Sequence, residues 1–364
     1  MTKRLGRNAL CWCGSGKKYK KCHLNRVHEK ELPLGALQQA VSQAWKHEKC
    51  FHPLAGAGIC DAIISAHSIQ RSRVLDKIID DRNHVLSFYP ARVDKRGIIS
   101  VSRVGWKKAS TFTGFCAKHD RSTFDPIENQ EFEGSEQQCF LLGYRALCHE
   151  LYQKTAAIKS SPVIRAMIDR GREPSVQREI QNLQAVLVAG QRVGLANSEA
   201  LKASMDAQLL SQNYGGWSRA VVNFDGELCI SSTGAITPNR NLDGKSLQVL
   251  HQDELPLEYL LCGVVATPMG GAMVLTWPTG QKAPEAFVAS LLRHDESLLP
   301  GILVQFLFAF IENTFFSERW WKSLSDQEQR HLTARAHLGN PYYDNLEFIS
   351  NRFVPWKITK ITRQ

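Results

Sequence analysis

The sequence predicts an α+β protein built in four segments, and three observations carry that prediction. Cysteine and histidine cluster in residues 1–30 and again in residues 31–134. Apolar residues recur at helical spacing through residues 135–213. In residues 214–364, β-type runs flank Gly-containing turns and then give way to helical patterns. A chain of 364 residues exceeds what one small core organises, so more than one domain is expected.

The elements follow in order. Leu37 to Lys46 has helical spacing, Ile63 to Leu75 is expected to be helical, and Gly97 to Val104 reads as β-containing. Ser135 and Gln138 have the spacing of a capping box, and Phe140, Leu141, Tyr144, Leu147 and Leu151 then recur as on one helix. The helical pattern continues past Ser160-Ser161-Pro162, breaks over Gly171 to Pro174, and resumes from Ser175 to Ser211. Arg219 to Asn223 and Glu227 to Ser231 flank Asp225-Gly226, a hairpin signal. Leu257 to Thr267 and Ala272 to Trp277 flank Pro268-Met269-Gly270-Gly271, a second one. Helices are expected over Pro284 to Arg293, Gly301 to Phe316 and Asp326 to Ala336.

Composition narrows the class. Hydrophobic residues make up 43%, enough to bury real cores, and charged residues at 22% are ordinary for a water-exposed protein. The formal net charge is +10, which favours polyanionic partners. No apolar run follows the basic N-terminus as a secretory signal would require. The stretch Gly301 to Ile311, interrupted by Gln305, is too short to span a bilayer, which needs about 20 residues. A cytoplasmic protein without a membrane span is therefore expected. Its ten cysteines are grouped with histidines, which in a reducing compartment points to metal and not to disulfides. Cys139, Cys148, Cys229 and Cys262 lie in apolar surroundings and read as core thiols.

The first cluster is Cys11-Trp12-Cys13-Gly14-Ser15-Gly16-Lys17-Lys18-Tyr19-Lys20-Lys21-Cys22-His23. Cys11 and Cys13 can aim both sulfurs inward from one tight turn, and Gly14 and Gly16 allow the backbone to fold back. Cys22 and His23 complete three thiolates and an imidazole, a full tetrahedral shell typical of structural zinc. No position is left for a reacting water. So short a segment cannot fold on buried area alone, and the metal provides that free energy. Lys17, Lys18, Lys20 and Lys21 would stay exposed as a basic, partner-binding knob. These residues resemble the SEC-C motif, first known at the C-terminus of the bacterial translocation ATPase SecA. Its Cys-x-Cys, Gly-Ser-Gly, Lys-Lys-Tyr-Lys and Cys-His pieces appear in order between Arg7 and Leu24. Ala9-Leu10 replaces the usual Asp-Pro, and Trp12 the usual Pro, without touching a ligand. The resemblance implies zinc and a contact role, since the module in SecA engages a chaperone and the ribosome. The remainder resembles other bacterial proteins that carry a SEC-C domain, which implies no particular reaction.

Cys50, His52, Cys60, His67, Cys116 and His119 form a second constellation. Cys116-Ala117-Lys118-His119 has zinc-knuckle spacing. One reading is a second structural zinc held by Cys116 and His119 with Cys60, completed by Cys50 or His67. His67 is expected near the start of a helix with Arg71 one turn on. A second reading keeps a treble-clef-like zinc frame and leaves His67 free. That loosely resembles HNH-type nucleases, which implies His67 as general base while Mg²⁺ or Mn²⁺ steadies a phosphate, with Asp120 and Arg71 in support. The usual Asp-His pair and a later Asn-His partner are missing. A third reading makes His67 a packed histidine and Cys60 a core thiol.

Other features read as structural. Gly270-Gly271 is a turn, with no phosphate-loop pattern around it. Trp320-Trp321 reads as core. His251, His294, His331 and His337 have no ligand-like companions, and Arg170-Gly171-Arg172 and Lys357 to Arg363 read as solvated charge. The sequence thus points to a zinc-binding protein whose basic front end docks onto a protein, ribosomal or nucleic-acid partner, with a zinc-framed nuclease as the alternative.

Overall fold

The computed structural model describes residues 5–93, 99–250, 256–338 and 348–364. It is mixed α+β and divides into two compact units, each assembled from two stretches of chain. Unit one comprises Met1–Glu48 and Leu151–Glu199; unit two comprises Lys49–Glu150 and Ala200–Gln364. No helix among the described residues is long and apolar enough to cross a membrane.

In unit one, two short 3₁₀ turns (Tyr19–Lys21 and Arg26–His28) precede helix α1 (Leu34–Trp45). The Trp45 indole donates to Gln153 Oε1 at 3.0 Å. His47 stacks on Tyr152 with ring centroids 4.1 Å apart. The rest of unit one is the far part of helix α4 (Glu136–Met167) and the near part of helix α5 (Pro174–Ser211). Helix α4 begins at the expected cap: Gln138 N–H donates to Ser135 Oγ at 3.2 Å. The Gln138 side chain does not close the box. It donates to the carbonyls of Pro126 and Glu131, tying the preceding loop down. Helix α4 runs through Pro162 without a break.

Unit two holds a two-stranded sheet and an eight-stranded one. Strands β1 (Ile63–His67) and β4 (Thr111–Cys116) pair antiparallel, and β4 leads directly into helix α3 (Ala117–Glu128). Here the chain departs from the expected helix. Ile63 to His67 is a strand, and a π-helical turn starts only at Arg71, followed by the short α2 (Asp76–Ile78). His67 and Arg71 therefore share no helix face.

The larger sheet has the order β10-β5-β8-β7-β6-β9-β2-β3. Its members are β2 (His84–Val93), β3 (Ile99–Gly105), β5 (Trp217–Asp225), β6 (Ile230–Ile236), β7 (Leu260–Thr267), β8 (Gly270–Pro278), β9 (Thr314–Phe316) and β10 (Lys357–Arg363). The second expected hairpin forms, with Thr267 opposite Gly270 across Pro268-Met269. Gly270 and Gly271 therefore open β8 instead of forming the turn; a Cβ on Gly271 would stand 2.5 Å from the Phe224 ring. The first expected hairpin does not form. Strand β5 pairs with β8 and β10, while β6 pairs with β7 and β9. Asp225 still belongs to β5, and Gly226 (φ +115°) bends the chain out of the strand beside the Pro355 carbonyl.

Helices α6 (Lys282–Leu292), α7 (Leu299–Phe310), α8 (Glu318–Ser323) and α9 (Asp326–Leu338) follow the strands. The expected helix Gly301 to Phe316 stops at Phe310, and Thr314–Phe316 adds a strand to the sheet. The apolar run is buried along α7, and Gln305 is tolerated there because its amide is satisfied. It donates to the Gly301 and Ile349 carbonyls and accepts from Ile349 N–H. Trp320 and Trp321 are core, packed with Phe88, Phe308 and Phe316. Cys139, Cys148, Cys229 and Cys262 are buried free thiols. His251 lies outside the described residues.

Candidate metal centres

The first centre is built by local chain geometry. Gly14 (φ +74°) and Gly16 (φ +71°) turn the loop back, and Cys11 N–H donates to the Lys17 carbonyl at 2.8 Å. The turn Tyr19–Lys21 then aims the next two residues inward: Cys22 and His23 N–H both donate to the Tyr19 carbonyl. His23 Nδ1 lies 3.2 Å from Cys11 Sγ and 3.1 Å from Cys22 Sγ, and Cys13 Sγ is 3.6 Å from Cys22 Sγ. The four donor atoms all lie within 4.8 Å of one another. A tetrahedron with metal–sulfur bonds of about 2.3 Å has edges of about 3.8 Å, slightly less where a shorter metal–nitrogen bond takes part, so the set fits a zinc-sized ion. Burial pushes the Cys11 thiol up to about 12. Burial acts the same way on Cys13, but hydrogen bonds from the Ser15 hydroxyl and backbone outweigh it and bring that thiol down to about 7. A cation among the sulfurs would stabilise every thiolate at once.

The far side of the His23 ring meets a residue that no sequence signal singles out. Nε2 donates to Asp169 Oδ2 at 2.9 Å. Asp169 lies in the turn between α4 and α5, is fully buried, and also accepts from Arg26 Nε at 2.5 Å and Gln181 Nε2 at 2.8 Å. Burial works to raise its carboxyl, but these donors prevail and hold it below the usual carboxylate range. Gly171 in the same turn (φ +72°) donates its N–H to the Arg26 carbonyl; a Cβ there would meet the Glu29 carbonyl at 2.8 Å. Arg170 and Arg172, read as solvated charge, form exposed pairs with Glu29 and Glu31.

The second centre draws on distant residues. Cys116 is the N-cap of α3, and His119 sits in its first turn. Cys50 and Cys60 come from the chain before β1, and the paired β1 and β4 are separated in sequence by β2 and β3, so the element order is not the consecutive knuckle, hairpin and helix of a treble clef. His119 Nδ1 lies 3.4 Å from Cys50 Sγ, 3.5 Å from Cys60 Sγ and 3.2 Å from Cys116 Sγ. The donors again fall within 4.8 Å of one another. Cys50, and not His67, completes the group. Burial raises the Cys50 thiol to about 11 and lowers the His119 imidazole below its ordinary value. His52, two residues from Cys50, stacks on His119 with centroids 4.0 Å apart and planes at 9°. Among the described residues these two Cys/His groups could hold metal ions. Both are three-thiol, one-imidazole sets without an open protein position, which suits a structural ion.

His67 ends β1, outside both groups. Its Nε2 is buried without a hydrogen-bond partner, as is Asp120 Oδ1 on α3. Burial, then the nearby Arg71, holds the His67 imidazole below its ordinary value, and burial raises the Asp120 carboxyl.

Lys17, Lys18, Lys20 and Lys21 are all exposed. The charge of the chain is segregated. Unit one carries 17 Lys and Arg against 7 Asp and Glu, so the entire formal +10 belongs to it, while unit two has 28 of each sign.

Comparison with known proteins agrees with the first centre. A model of the SEC-C motif matches residues 7–25. Over 39 residues the chain is 56% identical to the protein translocase subunit SecA of two Chloroflexus aurantiacus strains. That stretch is 11% of this chain and spans only 4% of the length of those relatives. No solved structure matches the chain.

Proposed function

We propose that the chain is a cytoplasmic docking protein stabilised by two structural zinc ions. Cys11, Cys13, Cys22 and His23 hold one, and Cys50, Cys60, Cys116 and His119 the other. The basic SEC-C module engages a protein, ribosomal or nucleic-acid partner through Lys17, Lys18, Lys20 and Lys21. The observation that carries this is the confinement of all net positive charge to the unit bearing that module. Its metal donors are used up within the shell, so the neighbouring lysines are free for a partner's phosphates or carboxylates. The test is replacement of the four lysines by Gln. Zinc content should stay unchanged. Binding to ribosomes, RNA, DNA or acidic protein should weaken. For a nucleic acid the salt dependence should flatten by roughly one unit for each phosphate no longer neutralised. Unchanged binding to all of them would sink the docking reading.

A second reading, a zinc-framed nuclease with His67 as general base, is favoured by one observation. His67 closes a strand paired with β4, which runs into the metal-bearing helix α3, and its Nε2 is unpartnered. In that reading Mg²⁺ or Mn²⁺ would assist on the phosphate, and His67→Ala would lower cleavage by about 10² to 10⁴ while sparing binding. Wild-type protein that leaves plasmid and RNA intact in either ion removes this reading.

A further inference from the structure

The connection between His23 and Asp169 spans 146 positions of sequence and is enclosed. His23 is 5% exposed, Arg26 6%, Gln181 2% and Asp169 0%. Nδ1 of His23 faces the sulfurs of Cys11 and Cys22, so the ring proton sits on Nε2 and is donated to Asp169 Oδ2. A carboxylate in this position fixes the tautomer and orientation of a metal-binding imidazole and raises its basicity. Asp169 also organises its neighbours. Gln181, on α5, donates to Asp169 and to the Arg165 carbonyl on α4, and Arg165 Nε donates back to Gln181 Oε1 at 2.9 Å. Arg26 Nη2 reaches the same Arg165 carbonyl at 3.2 Å, and Arg165 Nη2 donates to the Cys13 carbonyl. The metal loop and the α4–α5 turn are thereby joined by one polar network, buried at Asp169, His23, Arg26 and Gln181 and half-buried at Arg165.

We infer that Asp169 is the positioning carboxylate of the first metal centre, and that it couples metal loading there to the order of the α4–α5 turn. The unit that responds to the metal is then larger than the 7–25 motif: it includes the end of α4 and the start of α5. This rests on the first centre holding zinc, as proposed above. It is independent of which partner the lysines meet.

The test uses the full chain loaded with zinc, with Asp169→Asn, Asp169→Ala and wild type compared. Each is exposed to a chromogenic chelator together with a thiol-alkylating reagent, and labelling is read peptide by peptide. Cys11, Cys13 and Cys22 report the first centre, while Cys50, Cys60 and Cys116 serve as an internal control. Weakened outer partners of metal ligands lower metal affinity by about 10- to 100-fold. The first three thiols should therefore be labelled at correspondingly lower chelator concentration in both variants, with the control thiols unmoved. Amide exchange adds a readout that needs no variant: removing zinc from wild type should expose the first turns of α5, Pro174 to Gln181. Equal chelator resistance of Asp169→Asn and wild type, or unaltered exchange at Pro174 to Gln181 after zinc loss, would overturn the inference. Metal analysis of untreated wild type separates the two levels. If Cys11, Cys13 and Cys22 are open to labelling without chelator, it is the zinc assignment that fails.

Discussion

Removing Cys60 gives the sharpest test of the second centre, because the four donors come from three separate places in the chain. Cys60 Sγ lies 3.5 Å from His119 Nδ1, and in Cys60→Ala the remaining donors, Cys50, Cys116 and His119, stay where they are. Structural zinc binds with an apparent free energy of about 10–16 kcal/mol, so losing one of four ligands costs roughly 3 kcal/mol, or about 100-fold in affinity. The energy lost is local. Helix α3 is held through His119, Thr123, Phe124 and Ile127, and its first turn is the part nearest the metal. Metal analysis after dialysis against a competing chelator should fall from about two zinc ions per chain toward one. Amide exchange should rise in α3 and in β1, while β5, β7 and β8 stay protected by their own packing. Cys148→Ala is the control: it removes a fully buried thiol that belongs to neither donor group, and zinc content should not change. Cys60→Ala that keeps its zinc as tightly as wild type would refute the convergence of this centre on a metal.

Three further outcomes follow from individual side chains and turns. Gly301→Ala would bring a Cβ to 2.0 Å from the Asn351 carbonyl, so it should destabilise unit two by at least about 2 kcal/mol in denaturant titration. Asp80 accepts from the Arg82 and His84 N–H groups and pairs with Arg103; although burial opposes it, the His84 and Arg103 interactions bring its carboxyl down to about 2. Its contribution is present above the unfolded carboxylate pKa of about 3.9 and is lost as pH falls toward 2, so Asp80→Asn should flatten the acid limb of the melting-temperature profile. Gly171→Ala forces a left-handed residue and a 2.8 Å approach to the Glu29 carbonyl, and should lower the chelator resistance of the first centre by shifting the turn that carries Asp169.

What the sequence makes legible depends on range. The first centre is readable because Cys11, Cys13, Cys22 and His23 lie within one tight loop, where spacing and glycine conformation already determine the geometry. Half of the second is readable for the same reason: Cys116 and His119 are one helical turn apart. The choice of Cys50 over His67 requires the fold. Ile63 to Leu75 suggests a helix, but its apolar residues fit neither period cleanly; pairing with β4 decides for a strand, and the β-branched Ile63 and Ile64 suit it. Asp225-Gly226 is legible as the end of a strand, but that does not determine which strands meet. Strand β5 finds β8 and β10, and those partners are distant in sequence. Asp169 carries no signal at all, being a lone acid in Ile168-Asp169-Arg170-Gly171.

The segregation of charge and the makeup of the unit-one interior bear on each other. The contiguous apolar core cluster lies wholly in unit two. Among the described residues of unit one, the buried apolar side chains are Cys11, Cys13, Leu151, Tyr152 and Ala156, and two of those belong to the first Cys/His group. The other enclosed side chains there are polar, Asp169, Arg26, Gln177 and Gln181 among them. Such an interior supplies little hydrophobic stabilisation, and a formal +10 opposes compaction by self-repulsion. In the docking reading, zinc at the first centre is then what holds this unit against its own charge. A bound polyanion would act in the same direction, by neutralising that charge. Two ligands that favour the same folded state must favour each other, and by the same factor in either order. Saturating RNA, in the docking reading, should therefore raise the chelator concentration at which Cys11, Cys13 and Cys22 lose zinc at equilibrium by the same factor as zinc loading tightens RNA. High salt should abolish both effects together. Zinc retention that ignores RNA at low salt, in protein that demonstrably binds it, would mean that the metal and the basic surface belong to separate cooperative units.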